Sequence, residues 1–366
     1  MRREARGVVL IAALMAVLVI VGGSTDSVAH AATDWDNDTC LTCHNDPELS
    51  MQLESGEELE LWIDASRWND SIHAYWDMQC VQCHSSITAT PHDPPSFSDS
   101  RGLATSASEE CVLCHVDQRE FQDSVHAEAR NEGNDAAATC SDCHDPHYTA
   151  DPPLTRDEIP NTCRTCHAEI YDEYEASAHG TALTEGNRDV PTCTDCHGVH
   201  DIEGPSNGTF HLFSPQLCAE CHADEELMTK YGIRTDVFET YVADFHGRTI
   251  TLFQEITPDQ PTNAPVCISC HGVHDIRHVD DSTSSVTKEN LLSTCQQCHP
   301  DADTRFPDAW MSHYSASPQE WPLVFAVQTF YLVAIPIVIG GMLSYVAIDV
   351  FGRRRRKKEE EEERRA

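Results

Sequence analysis

Cys193-Thr-Asp-Cys-His-Gly-Val-His-Asp-Ile202 packs two chemical signals into ten residues. Two thiols three positions apart are followed at once by an imidazole, and a second imidazole comes three residues later. Cys-x-x-Cys-His is the attachment site of c-type haem, in which both thiols form thioethers and the adjacent imidazole reaches the iron. The pentapeptide recurs nine times and accounts for all 18 cysteines. Its thiols are Cys40, Cys43, Cys80, Cys83, Cys111, Cys114, Cys140, Cys143, Cys163, Cys166, Cys193, Cys196, Cys218, Cys221, Cys267, Cys270, Cys295 and Cys298. The histidines that follow are His44, His84, His115, His144, His167, His197, His222, His271 and His299. Paired knuckles that bind zinc, and a disulfide framework, are the competing readings. Neither requires a histidine after the second cysteine nine times, so the spacing predicts nine covalent c-type haems.

The stretch belongs to a repeated two-motif module. A first motif leads through a helical stretch to a lone histidine, and a loop then leads to a second motif closely followed by another histidine. The repeats span about 40–95, 111–150, 163–202 and 218–276, with a half-repeat at 295–315. Lone histidines at module-equivalent places are His73, His92, His126, His147, His179, His200, His246, His274 and His313, one candidate distal ligand for each haem. Two imidazoles on one iron make it six-coordinate and low-spin, which suits electron transfer. His147, His200 and His274 lie too close to their own motifs to reach across their own porphyrin, so each is expected to serve a neighbouring haem. His92 sits in the longest loop of its kind. His211 and His278 are left over and read as peripheral. Met51, Met78, Met228 and Met311 could replace a ligand but hold no repeated place.

The apolar side chains are sparse for the length. The expected fold is mainly α and irregular: short helices and loops wrapped on stacked haems, with a small hairpin over Met51 to Ile63 around Ser55-Gly56-Glu57. Without the macrocycles the chain would not bury enough surface to offset its ordering entropy. Residues 32–321 are thus read as one extracytoplasmic haem domain.

Both ends carry membrane signals. Residues 1–31 read as a signal peptide, with Arg2, Arg3 and Arg6, an apolar Val8 to Val21 and Ala29-His30-Ala31 as the cleavage site. An uncleaved anchor is the alternative there. Leu323 to Ile348, within a predicted transmembrane helix at 322–350, is long enough to cross a bilayer, at ~1.5 Å per residue against a ~30 Å hydrocarbon core. Pro336 is expected to kink it. The basic run Arg353 to Lys358 follows directly in a charged cytoplasmic tail, 351–366, which sets the haem domain outside. The span has no histidine, hence no b-type haem of its own.

The chain is acidic, with 61 Asp and Glu against 24 Lys and Arg, a formal net charge of −37. Such a surface repels nucleic acid and would steer basic redox partners. A high-salt habitat is the second explanation, and the even spread of acid along the domain favours it.

Ser71-Ile72-His73, Ser124-Val125-His126 and Ser177-Ala178-His179, with Gly198-Val199-His200-Asp201-Ile202 and Gly272-Val273-His274-Asp275-Ile276, resemble exported multihaem cytochromes c of the doubled Cys-x-x-Cys-His and cytochrome c3-like class. Two places depart from the pattern: Asp244-Phe245-His246 lacks the serine, and Asp145-Pro146-His147 replaces Gly-x-His. The resemblance implies bis-histidine haems and electron relay. A single C-terminal span is similar to subunits that sit beside a membrane cytochrome b or quinol dehydrogenase, which implies such a subunit as donor and an extracytoplasmic redox partner as acceptor. The expected function is therefore a membrane-anchored electron conduit of anaerobic respiration on the periplasmic face, with the His299 haem nearest the bilayer. The rival is a multihaem oxidoreductase acting on a nitrogen or sulfur oxyanion at one open haem. No lysine follows any Cys-x-x-Cys here, unlike the special haem of related nitrite reductases. A structural filament is a third reading, disfavoured by the span and by the repulsive surface.

Overall fold

The serine of each Ser-x-His begins a helix. Ser71, Ser124 and Ser177 have extended backbones, and each hydroxyl accepts a hydrogen bond from a backbone N–H of the following turn, satisfying a donor that a helix start leaves free. The lone histidine therefore does not close the preceding helix, as the sequence suggests. It stands at the second position of a new one. Asp244 does the serine's work in the fourth repeat, accepting from Phe245 N at 2.6 Å.

The structure, a computed structural model, describes residues 36–94, 96–204, 208–310, 312–319 and 321–365. The leader expected at 1–31 lies outside the described residues. Two compact units are present, and each is taken by itself. The first reaches to Glu158 and includes His200–Ile202; the second comprises Ile159–Val199 and the chain from Glu203 onward.

In the first unit, α1 (Asn37–His44) carries the first motif and leads to the hairpin, β1 (Ser50–Gln52) paired antiparallel with β2 (Glu58–Glu60). Gly56 turns that hairpin with φ +87°, a conformation that costs glycine little. Next come α2 (Ala65–Asn69), α3 (Ile72–Tyr75) with His73, α4 (Cys80–Cys83), α5 (Ser100–Cys114), a 3₁₀ stretch Val116–Asp123, α6 (Val125–Asn131) with His126, and α7 (Cys140–Cys143). Arg101 on α5 clamps the fourth motif. Its guanidinium pairs with Asp142 at 2.7 Å, and it also donates to the carbonyl oxygens of Asp135 and Ala137.

From α8 (Glu158–Arg164) onward the second unit repeats the plan. It contains α9 (Ala168–Glu175), α10 (Ala178–Thr184) with His179, α11 (Cys193–His197), α12 (Gly208–His222), α13 (Glu225–Thr229), α14 (Val237–Ala243), α15 (Phe245–Ile256) with His246, α16 (Cys267–His271) and α17 (Leu291–Gln296). Leu212, Ile250, Ala264 and Val266 form its buried core, with Tyr241, Phe253 and Ile268 packed around it. Gly180 and Gly247 follow His179 and His246, the helix-start histidines of this unit. A Cβ there would fall 2.0 Å from the Tyr174 carbonyl oxygen and 2.1 Å from that of Tyr241, so the new helix sits tight on the end of the old one.

Eleven apolar side chains are buried among the described residues, and four of those are alanines. That is little core for so long a chain, and the protein is mostly helical and irregular, as its sequence predicts. The C-terminal helix α18 (Pro322–Glu363) runs 42 residues, about 63 Å at ~1.5 Å per residue, without a break at Pro336 and on through the charged tail. Its first part is apolar and long enough to cross a membrane. Asp349, the one acid within the predicted span, pairs with Arg353 at 2.8 Å, one turn on.

Candidate haem-binding sites

The second motif of each module is held by its own intervening residue. Asp142 turns back to accept from Thr139 N and Oγ1, both at 2.6 Å, and Asp195 does the same for Thr192 at 2.6 and 2.8 Å. Gln82 accepts from Gln79 N, and Ser269 Oγ from Val266 N. Each bond is the half of a capping box in which the third helical residue reaches back to the helix start, and it helps fix the one-turn helix that carries both thiols. Gly198 and Gly272 then end the turn with φ of +82° and +84°. At Asp145 the helix stops a residue earlier, with His144 already extended, so no glycine is needed.

Neighbouring modules are joined by one repeated bond. Ile72 N donates to Thr149 O, Val125 N to Ile202 O and Ala178 N to Ile276 O, at 2.8 to 3.0 Å. In each case the donor precedes a lone histidine, and the acceptor lies two residues beyond the histidine that trails a second motif. The joint thus ties together the backbone beside two lone histidines of adjacent modules.

The imidazoles meet in pairs. In the first unit, ring centroids are 6.1 Å apart for His44 and His92, 6.2 Å for His73 and His115, 6.0 Å for His84 and His147, and 6.2 Å for His144 and His200. In the second they are 6.3 Å for His179 and His222, 6.0 Å for His197 and His274, 6.1 Å for His271 and His313, and 6.4 Å for His246 and His299. Every pair joins one motif histidine to one lone histidine. The trailing histidine of a module faces the second motif of the module before it. The helix-start histidine faces the first motif of the module after it. His92 has no earlier module to serve, and His44 has no earlier helix-start histidine; these two face each other. His126 stands on α6 in the first unit, and His167 caps α9 in the second.

Two imidazoles bound to opposite faces of one iron, at metal–nitrogen distances of about 2 Å, hold their centroids roughly 6.3 Å apart. The eight observed separations fit that requirement. Four rings are also oriented by a backbone carbonyl at Nδ1, which leaves Nε2 as the ligating atom. His44 bonds Leu61 O at 2.8 Å, His73 bonds Pro146 O at 3.0 Å, His92 bonds Asp93 O at 2.9 Å and His197 bonds Glu203 O at 2.9 Å. Burial disfavours the imidazolium and pushes down His84, His144, His147, His222, His271, His274 and His313. His179 is pushed to about 4, by burial first and by His222 second. A neutral ring is the form that binds a metal.

The thiols trace an order. The first cysteines of the two motifs in a module lie beside each other, close enough to shift each other's titration: Cys40 with Cys80, Cys111 with Cys140, Cys163 with Cys193, and Cys218 with Cys267. Burial, then Cys40, pushes the Cys80 thiol up to about 12. Between modules, Cys83 lies within electrostatic reach of Cys114, Cys196 of Cys218, and Cys270 of Cys295. Within each unit the motifs therefore neighbour one another in sequence order. No disulfide joins them, and among the described residues no group of three or more ligating side chains forms a cage for zinc.

The leftover histidines keep apart from these pairs. His278 is exposed and lies 3.5 Å from Asp280, and His211 sits on α12. Met51 lies on β1 and Met228 is buried on α13. Met311 lies outside the described residues. The residues that sequence reading missed are the positioning ones: the capping serines, Asp244, and the acids inside the second motifs. Their signal was present in Ser-x-His and Cys-x-Asp-Cys, but it specifies a helix start and not a ligand.

Paired imidazoles at eight of the nine thiol motifs define a carrier of several covalent haems, and the chain is a multihaem c-type cytochrome. Residues 133–171 match the family of the doubled CXXCH motif. The chain is 28% identical over 202 residues to the multiheme cytochrome MtrA of Shewanella baltica, covering 51% of this chain and 53% of that protein. It is 25% identical over 158 residues to the cytochrome c-type protein NrfB of Escherichia coli, covering 38% of this chain and 78% of that protein. It thus spans about half the length of the first of these relatives. No solved structure matches it.

Proposed function

We propose that this cytochrome carries nine haems and relays electrons, as a single-pass membrane protein with its haem domain on the periplasmic face. The observation that carries the reading is the pairing of motif and lone histidines at 6.0 to 6.4 Å, because an iron closed on both faces passes electrons and binds no substrate. The motif histidines His44, His84, His115, His144, His167, His197, His222, His271 and His299 are the proximal ligands. His73, His92, His126, His147, His179, His200, His246, His274 and His313 supply the sixth position. Haem supplies the redox change. The chain holds it by thioethers, orients its ligands through carbonyls and caps, and lines up the motifs in order. The donor is a membrane quinol dehydrogenase or cytochrome b subunit and the acceptor an extracytoplasmic protein, in anaerobic respiration. A leader at 1–31, the haem domain at 32–321 and the span at 322–350 complete the layout.

Low-temperature EPR of the oxidised, haem-loaded protein tests this, together with a haem count from the pyridine haemochrome. Nine low-spin ferric haems unaltered by nitrite, hydroxylamine or tetrathionate are expected. A high-spin haem that shifts with one of these ligands would replace the relay with an oxyanion reductase.

A further inference from the structure

The last Cys-x-x-Cys-His in the chain does not face a histidine of the segment that leads into the span. His299 of that motif faces His246, which is carried by α15 of the preceding repeat. The segment that runs into the membrane helix instead supplies His313, and His313 faces His271.

Three observations place that site close to α18. Ala316 lies three residues after His313, a separation of at most ~11 Å between Cα atoms at 3.8 Å per step. Ala316 lines a groove of about 550 Å³ together with Phe325, Gln328, Thr329, Leu332 and Pro336, so it lies on the first turns of α18. Trp321 N then donates to Ser317 O at 3.0 Å, closing the strap into a turn that leads directly into the helix.

The strap is also pinned to the haem domain on both sides of His313. Trp310 stands edge-on to the His313 ring at 6.0 Å and donates from Nε1 to Asp244 at 2.9 Å. The Arg234 guanidinium lies over the Tyr314 ring at 4.2 Å and is itself held by Asp236 at 2.6 Å. A ligand fixed on either side and joined to the span by so few residues has little freedom to move away from it.

We propose that the membrane-side end of the relay is the site of His271 and His313, with the site of His246 and His299 farther from the bilayer. This rests on the relay reading and names the haem at which electrons pass between the membrane and the chain.

The test uses full-length, haem-loaded, oxidised protein in phosphatidylcholine vesicles that carry a nitroxide on a fraction of the choline headgroups. Ferric iron speeds the nitroxide's relaxation, and the effect falls so steeply with distance that the nearest iron dominates. His313→Gly and His246→Gly each open one haem to the high-spin state while leaving every thioether in place, and a haemochrome count equal to that of the unaltered protein verifies each variant. Faster headgroup relaxation is expected for His313→Gly, and none beyond the unaltered protein for His246→Gly. A response to His246→Gly as large as that to His313→Gly, or no response to either, overturns the assignment. Failure of the relay reading would appear separately, as a high-spin haem in the unaltered protein before any substitution.

Discussion

His147 and His144 are three residues apart yet face different partners, His84 and His200. The divergence follows from the joint at Thr149, which ties the loop after the fourth motif to the helix start at Ile72. His147→Gly should therefore open the haem of the second motif and leave that of the fourth closed. One high-spin ferric signal is expected in EPR. It should vanish when Cys80 and Cys83 are also changed to alanine, and survive the same change at Cys140 and Cys143. The opposite pattern would mean that the trailing histidines serve their own motifs.

At the scale of elements, the short helices are set by their ends. Helices this short are marginal in water by themselves, and the three that carry Ser-x-His are each closed by a buried hydroxyl: Ser71, Ser124 and Ser177 are 2% exposed or less. Ser177→Ala should cost about 1 kcal/mol. Gly180→Ala should cost more, about 1–3 kcal/mol, because the added methyl meets a carbonyl oxygen that belongs to the preceding helix. Thermal unfolding of the haem-loaded variants checks both, and a Gly180→Ala protein as stable as its parent would refute the close packing of α9 on α10. In the first two repeats Ala74 and Ala127 occupy the equivalent place, so the tight approach belongs to the second unit.

The whole molecule carries a formal net charge of −37 over 366 residues. Self-repulsion on that scale opposes compaction, and salt screens it over about 10 Å at 0.1 M and about 3 Å at 1 M. The unfolding midpoint of the haem domain should rise steadily from low salt to molar potassium chloride. A flat or falling midpoint would mean that ion pairs such as Arg101–Asp142 outweigh the repulsion.

The haem chemistry was legible in the sequence because it is local. Cys-x-x-Cys-His needs only five consecutive residues to present two thiols and an imidazole, and the lone histidines recur at similar places within each module. The apolar C-terminal stretch and the small hairpin are local for the same reason, each set by length or by alternation over a few residues. The partner of each lone histidine was not legible. It depends on backbone bonds between modules, such as Ala178 to Ile276, that join positions about a hundred residues apart. Sequence order also pointed to His299 as the membrane-side site, whereas tertiary structure joins His313 to His271. Spacing along a chain determines which groups can bind a haem. Which two of them face each other depends on how the modules pack, because seven of the eight observed pairs join histidines of different repeats.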